Sequence, residues 1–167
     1  MRHLNMLLCF VTLLTAGLAG AAETTGSLTA NGRTAEMKYA LAWETDSTTE
    51  PGYLDVTILI SDREIAEAAA RDRDRLEVLA RNGELAGLLV VLNPDAKVMS
   101  AEPLHQAFTT MVSSALWIRW EPIAFDEKQV AGRFHSDGQR QEFGQKWQYD
   151  ITFSAPILLD PKAQTVK

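Results

Sequence analysis

The stretch "QKWQYDITFSAPI", residues 145–157, sorts its side chains by parity. Trp147, Tyr149, Ile151, Phe153, Ala155 and Ile157 fall on one face. Lys146, Gln148, Asp150, Thr152, Ser154 and Pro156 fall on the other. Successive side chains of a strand point to opposite sides, so a clean period of two reads as a half-buried β-strand. The functional question is what the aromatic face meets: the protein's own core alone, or a ligand as well.

The same period recurs along the chain. In "GSLTANGRTAEMKYALAWE", residues 26–44, Asn31-Gly32 is a two-residue hairpin signal, because both residues tolerate positive φ. Such a turn pairs Ala30 with Arg33, Leu28 with Ala35 and Gly26 with Met37. Leu28 then shares a face with Ala35, Met37, Tyr39, Leu41 and Trp43, and turn and pattern agree. After an acidic loop at 45–52, "YLDVTILIS" (53–61) alternates Leu54, Val56, Ile58 and Ile60 with polar residues and carries Leu59 as an extra apolar residue on the outer face. Residues 85–105 read as a second hairpin around Asn93-Pro94-Asp95. "SSALWIRWEP" predicts a strand with Leu116, Ile118 and Trp120 on one side, and Trp117 and Arg119 on the other. "QVAGRFHSDG" predicts one more.

Residues 62–83 change period. Ile65, Ala68, Ala69, Leu76, Leu79 and Ala80 fall within one helical stripe, and Asn82-Gly83 supplies a stop. Asp72 interrupts the stripe, so either the helix breaks near Ala70 or its first part is lightly packed. The "RDRDR" run at 71–75 reads as a solvated face, with Glu67–Arg71 and Glu77–Arg81 at the favourable i,i+4 spacing. About eight strands, mostly in hairpin order, with one helical insertion predict an α+β fold. Its sheet is mostly antiparallel, and strongly curved or closed into a partial barrel.

The first residues point to export. Arg2 and His3 precede a mostly apolar run to Leu18, followed by a small-residue tract in which Ala19-Gly20-Ala21 fits a cleavage site. Residues 1–21 are expected to be a cleaved signal peptide and 22–167 a single β-rich domain, periplasmic or secreted. Cys9 lies early in the apolar run behind Leu7-Leu8, out of place for lipid attachment, and leaves with the signal. The mature chain then has no disulfide and no cysteine nucleophile, and must rely on a packed core. Losing Arg2 takes the formal charge from −6 to −7, which argues against nucleic acid or anionic membrane as partner. After residue 21 no apolar stretch reaches membrane length, so an integral membrane protein is not expected.

Catalytic patterns are not evident. His105 and His135, with Glu102 and Asp137 as imaginable co-ligands, lack spacings that fix a metal on one element. Ser113, Ser114 and Ser154 lack a nucleophile elbow. There is no P-loop or dinucleotide fingerprint, and no cofactor is expected. What stands out is aromatic. Trp43, Trp120 and Trp147 lie on the apolar sides of their strands, whereas Trp117 shares its side with Arg119 and Glu121. Trp117, Arg119 and Glu121 are therefore the candidate partner- or ligand-binding residues.

The runs "GSLTANGRTAEMKYALAW", "LARNGELAGLLV" and "FGQKWQYDITFSAPI" give the chain a resemblance to a group of uncharacterised exported bacterial proteins. That group shares an opening N-G hairpin, a central A-R-x-G-x-L segment and a closing Y-D-x-x-F-x-A-P strand. The resemblance implies export and a single β-rich domain, and carries no activity or site residue with it. The leading expectation is an exported, non-catalytic binding module of the cell envelope, recognising a protein partner or small ligand. The alternative is a carrier of a small apolar ligand enclosed by the curved sheet, and a third reading is an envelope hydrolase using acidic residues. Mature protein should begin near Ala22, which N-terminal sequencing of the exported form checks; retention of Met1 would contradict it.

Overall fold

The structure, a computed structural model, describes residues 24–47 and 49–159. The expected signal peptide at 1–21 lies outside the described residues. In chain order the elements are β1 (Thr25–Ala30), β2 (Arg33–Glu36), β3 (Tyr39–Asp46), β4 (Leu54–Ser61), α1 (Glu67–Ala70), α2 (Arg73–Arg81), β5 (Gly87–Leu92), β6 (Val98–Leu104), β7 (Arg119–Phe125), β8 (Gln129–His135), β9 (Arg140–Glu142) and β10 (Gln145–Leu158). The strands form one curled half-barrel sheet whose main path runs β2-β1-β10-β3-β4-β5-β6. The expected fold class, a mostly antiparallel α+β curved sheet, is the one observed.

β10 is the spine. Its residues 147–152 pair with β1, 150–156 with β8, and 145–147 with β9, all antiparallel. Its last two residues, Ile157 and Leu158, turn to a short parallel pairing with Ala42 and Trp43 of β3. β7 adds to the outside of β8. Along β10 the odd-numbered residues 145–157 are all buried, as the parity of the sequence requires.

The sequence suggested about eight strands, and the described residues form ten. One extra is β9. The other arises because the second arm of the opening hairpin splits at Met37-Lys38. Met37 N–H still donates to the Gly26 carbonyl at 2.9 Å, but Lys38 N–H donates to the Ser61 carbonyl of β4 at 2.9 Å. The chain leaves one half of the sheet for the other within two residues. The continuous apolar face expected from Leu28 to Trp43 is broken there. Leu28 and Met37 belong to the main core inside the curl, whereas Leu41 and Trp43 face a second core under the helices.

That second core explains the double-sided strands. Ile58, Ile60, Leu88 and Val90 point into the curl, while Leu59 and Leu89 point outward beneath Leu76 and Ala80 of α2. Leu59 is thus buried from the side that the alternation marks as outer. The helical segment breaks where Asp72 stands: α1 ends at Ala70, and the Asp72 carboxylate accepts from Arg75 N–H at 3.0 Å as the N-cap of α2. Of the expected helical ion pairs, Glu67–Arg71 forms at 2.8 Å, but Arg73 takes Glu77 (3.6 Å) and also Glu102 of β6 (2.7 Å). Among the described residues no helix is long and apolar enough to cross a membrane.

The main core is closed by stacked rings. Phe134 lies 4.4 Å from Trp120 and 5.2 Å from Phe153, centroid to centroid. Gly132 makes this stack possible, since a Cβ there would come within 2.4 Å of both the Trp120 ring and the Glu121 carbonyl oxygen. Phe153→Ala should lower stability by about 3–5 kcal/mol through lost transfer energy and a cavity. Gly132→Ala should cost about 1–3 kcal/mol through overpacking. Urea unfolding measures both, and a near-zero loss at Phe153 would contradict the packed core.

Candidate functional site

Between β6 and β7 the chain runs through residues 105–118 without helix or strand. Loops of about 12–15 residues with no secondary structure of their own are uncommon in compact domains and are often functional. This one is firmly held. Asn31 Nδ2 donates to the Ala107 carbonyl and to Gln145 Oε1, both at 2.8 Å, and Gln145 Nε2 donates to Thr109 Oγ1 at 2.8 Å. Further on, Ser114 N–H donates to the Ala101 carbonyl at 2.7 Å, and the Ser114 carbonyl accepts from Trp117 and Ile118 N–H at 2.8 and 2.9 Å. Val112 and Ile118 enter the main core. The Tyr149 hydroxyl bonds the fully buried Ser114 Oγ at 3.0 Å, and burial pushes the Tyr149 phenol up to about 12.

Between these anchors the loop turns apolar side chains outward. Leu116 is 84% exposed and Trp117 41% exposed, and Met111 is exposed as well. The guanidinium of Arg140, on β9, stacks over the Trp117 ring at 5.3 Å. Facing the loop is the β9–β10 turn, whose tip is Phe143-Gly144. Phe143 is 85% exposed and sits at φ 46°, in the left-handed region, followed by Gly144 at φ 76°. Met111 and Phe143 flank a hollow of about 200 Å³ lined also by Ser113 and Glu142.

Two further hollows share the start of the loop. A groove of about 180 Å³ runs between α2 and Leu104, Phe108 and Met111. A polar cleft of about 510 Å³ separates β2 from the strand ends at Asp62, Ala86 and His105. In this cleft His105 Nδ1 accepts from Ala107 N–H at 3.0 Å, which leaves Nε2 to carry the proton of the neutral ring. Burial lowers the His105 pKa, Arg33 lowers it further, and Asp62 opposes them. Asp62 itself is held charged: hydrogen bonds from Arg63 and from Ala86 N–H outweigh its desolvation and lower its pKa.

The three candidate residues are placed differently from one another. Trp117 lies in the turn ahead of β7, not on a strand, and Leu116 is outside the core that the alternation assigned to it. Arg119 begins β7 and is exposed. Glu121, on the outer face of β7, bonds Arg133 at 3.2 Å and His135 Nε2 at 3.2 Å; Arg133 in turn grips Asp150 with two bonds of 2.7 Å. These contacts lower the pKa of Glu121 and of Asp150 and raise that of Arg133. So Glu121 is engaged in a surface ion network, while Trp117 lies against Arg140 of the β9–β10 hairpin, whose tip is Phe143. His105 and His135 lie at different places, the first in the cleft and the second beside Glu121. Among the described residues no three His, Cys, Asp or Glu side chains gather as a metal site would require. Phe143 was missed from sequence, although "FG" ahead of the alternating strand is a turn signal with an unusual first residue.

Compared with known proteins, the chain matches no family model, no curated protein and no solved structure.

The buried Tyr149–Ser114 contact has measurable consequences. Ser114→Ala should destabilise by about 1–3 kcal/mol, because the phenol is left buried and unpaired. Since the folded pKa of Tyr149 is raised to about 12 above an ordinary value of about 10, its contribution is fully present below about pH 10. It should be lost as pH rises towards about 12. Urea unfolding across that window should show the loss in the native protein and a flatter profile in Tyr149→Phe. Identical profiles would contradict it.

Proposed function

We propose that this protein is an exported, non-catalytic module that recognises a protein partner through the apolar rim formed by Met111, Leu116, Trp117 and Phe143. Export is supported by the N-terminal sequence pattern and by the resemblance to exported proteins. The binding role is supported chiefly by Phe143. Two other turns of this chain put residues at the same pair of positive φ values, and they use Asn31-Gly32 (47°, 82°) and Asp137-Gly138 (52°, 85°). Those residues suit the left-handed region, whereas a phenylalanine there is strained and gains no burial to compensate. A large apolar side chain held exposed at a local cost, on a hairpin whose Arg140 stacks on the second exposed aromatic, Trp117, is what a recognition surface requires.

The carrier alternative finds less support. The aromatic face that a carrier would keep open is occupied by the Trp120, Phe134 and Phe153 stack. A hydrolase would want two carboxylates free in a cleft. Glu77 and Glu102 are both committed to Arg73, and of the two carboxylates that line the polar cleft, Glu36 and Asp62, the second is taken by Arg63 and by Ala86 N–H.

Phe143→Asn should raise stability by up to about 1 kcal/mol, while weakening partner binding together with Trp117→Ala. Urea unfolding reads the first effect. For the second, a photo-crosslinking residue at position 117 or 143 should give a discrete protein adduct in cells, and one at position 152 on the outer face of β10 should not. Adducts from all three positions, or from position 152 only, would remove the rim from consideration.

A further inference from the structure

Among the described residues several strands of the sheet pair on one side only: β2, β6, β7 and the short β9. Most are blunted. β7 carries Pro122 and a bulge at Ile123, β6 carries Pro103 and gives its Ala101 carbonyl to Ser114, and Arg140 of β9 folds over Trp117. β2 has neither proline nor bulge.

Its free edge can be read from the ladder. The Met37 N–H to Gly26 carbonyl bond fixes which pairs exchange hydrogen bonds: Gly26–Met37, Leu28–Ala35 and Ala30–Arg33 do, and Ser27–Glu36 and Thr29–Thr34 do not. The backbone N–H and C=O groups of Thr34 and Glu36 therefore point away from β1. The next N–H in that outward series, on Lys38, is already taken by the Ser61 carbonyl of β4. The half-barrel begins to close there and then stops, leaving the cleft of about 510 Å³ between β2 and the ends of β4, β5 and β6. That volume falls in the range of about 300–1,000 Å³ of ligand sites.

The charge of the cleft runs against that of the chain. The sequence has a net charge of −6, yet Arg33, Lys38 and Arg63 line this gap against only Glu36 and Asp62. Asp62 is taken by Arg63 and by Ala86 N–H. Among the described residues Arg33 and Lys38 form no ion pair.

We propose that the gap takes an extended, acidic segment of a partner protein, which adds to β2 as a further strand. Its backbone would pair with Thr34 and Glu36, and its inward-pointing carboxylates would meet Arg33, Lys38 and Arg63. A second copy of this chain fits less well, because a symmetric β2–β2 pairing through Thr34 and Glu36 would set Arg33 opposite Met37 and Lys38 opposite Gly32, and neither cation would gain an opposed carboxylate. The site lies apart from Trp117 and Phe143 and does not depend on that rim being a recognition surface.

The test uses two capped hexapeptides, one alternating glutamate with valine and the other lysine with valine, titrated into the ¹⁵N-labelled protein. The glutamate peptide should shift the amide resonances of residues 33–36 and slow hydrogen exchange at Thr34 and Glu36; the lysine peptide should do neither. Lys38→Glu should weaken the glutamate peptide by about tenfold or more. Thr34→Pro, which removes an outward donor that the native ladder does not use, should abolish binding while its spectrum keeps the native dispersion. Four results would overturn the proposal: no response at 33–36, response without amide protection, equal response to both peptides, or concentration-dependent dimerisation through β2 in the absence of peptide. The amide protection in the unmodified protein decides the matter even if Thr34→Pro fails to fold.

Discussion

Everything in this molecule hangs on the two-residue period of β10. One strand of fourteen residues supplies pairing surface to β1, β8 and β9 and then meets β3, so it joins both halves of the sheet. Its odd-numbered side chains fill the centre of the curl. A slip of one residue against either neighbour would turn Trp147, Tyr149, Ile151 and Phe153 to solvent and Asp150 and Thr152 inward. Burial of that face is of order 1.5–3 kcal/mol for each large side chain, so no alternative register competes.

Local pattern was sufficient in some parts of the chain and not in others. The parity of 145–157, the Asn31-Gly32 turn and the change of period at 62–83 are local signals, and the fold class follows from them. The corner at Met37-Lys38 left no such trace, because both sides of it alternate. It is made by which carbonyl each N–H finds, Gly26 or Ser61, and those partners are far apart in sequence. Leu59 looked like a surplus apolar residue for a similar reason: the helical layer that covers it is a separate element. In "SSALWIRWEP" the alternation of Leu116, Ile118 and Trp120 imitates a strand. The buried Ser114, bonded to the Ala101 carbonyl and to Tyr149, instead forces a turn that leaves Leu116 outside.

The candidate site was only half legible. Trp117 stood out because it broke the apolar grouping of the other tryptophans. Its partner in space is Arg140 of the β9–β10 hairpin, and no spacing rule connects residues 117 and 140. Glu121 was a reasonable candidate by parity, but the register of β7 on β8 brings it to Arg133 and His135. The β2 cleft was beyond sequence altogether, since it exists only because the sheet curls far enough to begin closing at Lys38 and no further.

The proposed rim requires that its exposed apolar side chains be presented by a rigid scaffold and not by a loose loop. Native-state hydrogen exchange tests this most directly. The amides of Tyr149, Ile151 and Phe153 should exchange only through global unfolding. Those of Ser114, Trp117 and Ile118, all hydrogen-bonded within the loop or to β6, should fall into the same slow class, or within about 1–2 kcal/mol of it. Exchange of the loop amides at rates near those of an unstructured chain, with β10 still slow, would contradict the account: Leu116, Trp117 and Met111 would then be a mobile segment and not a presented surface.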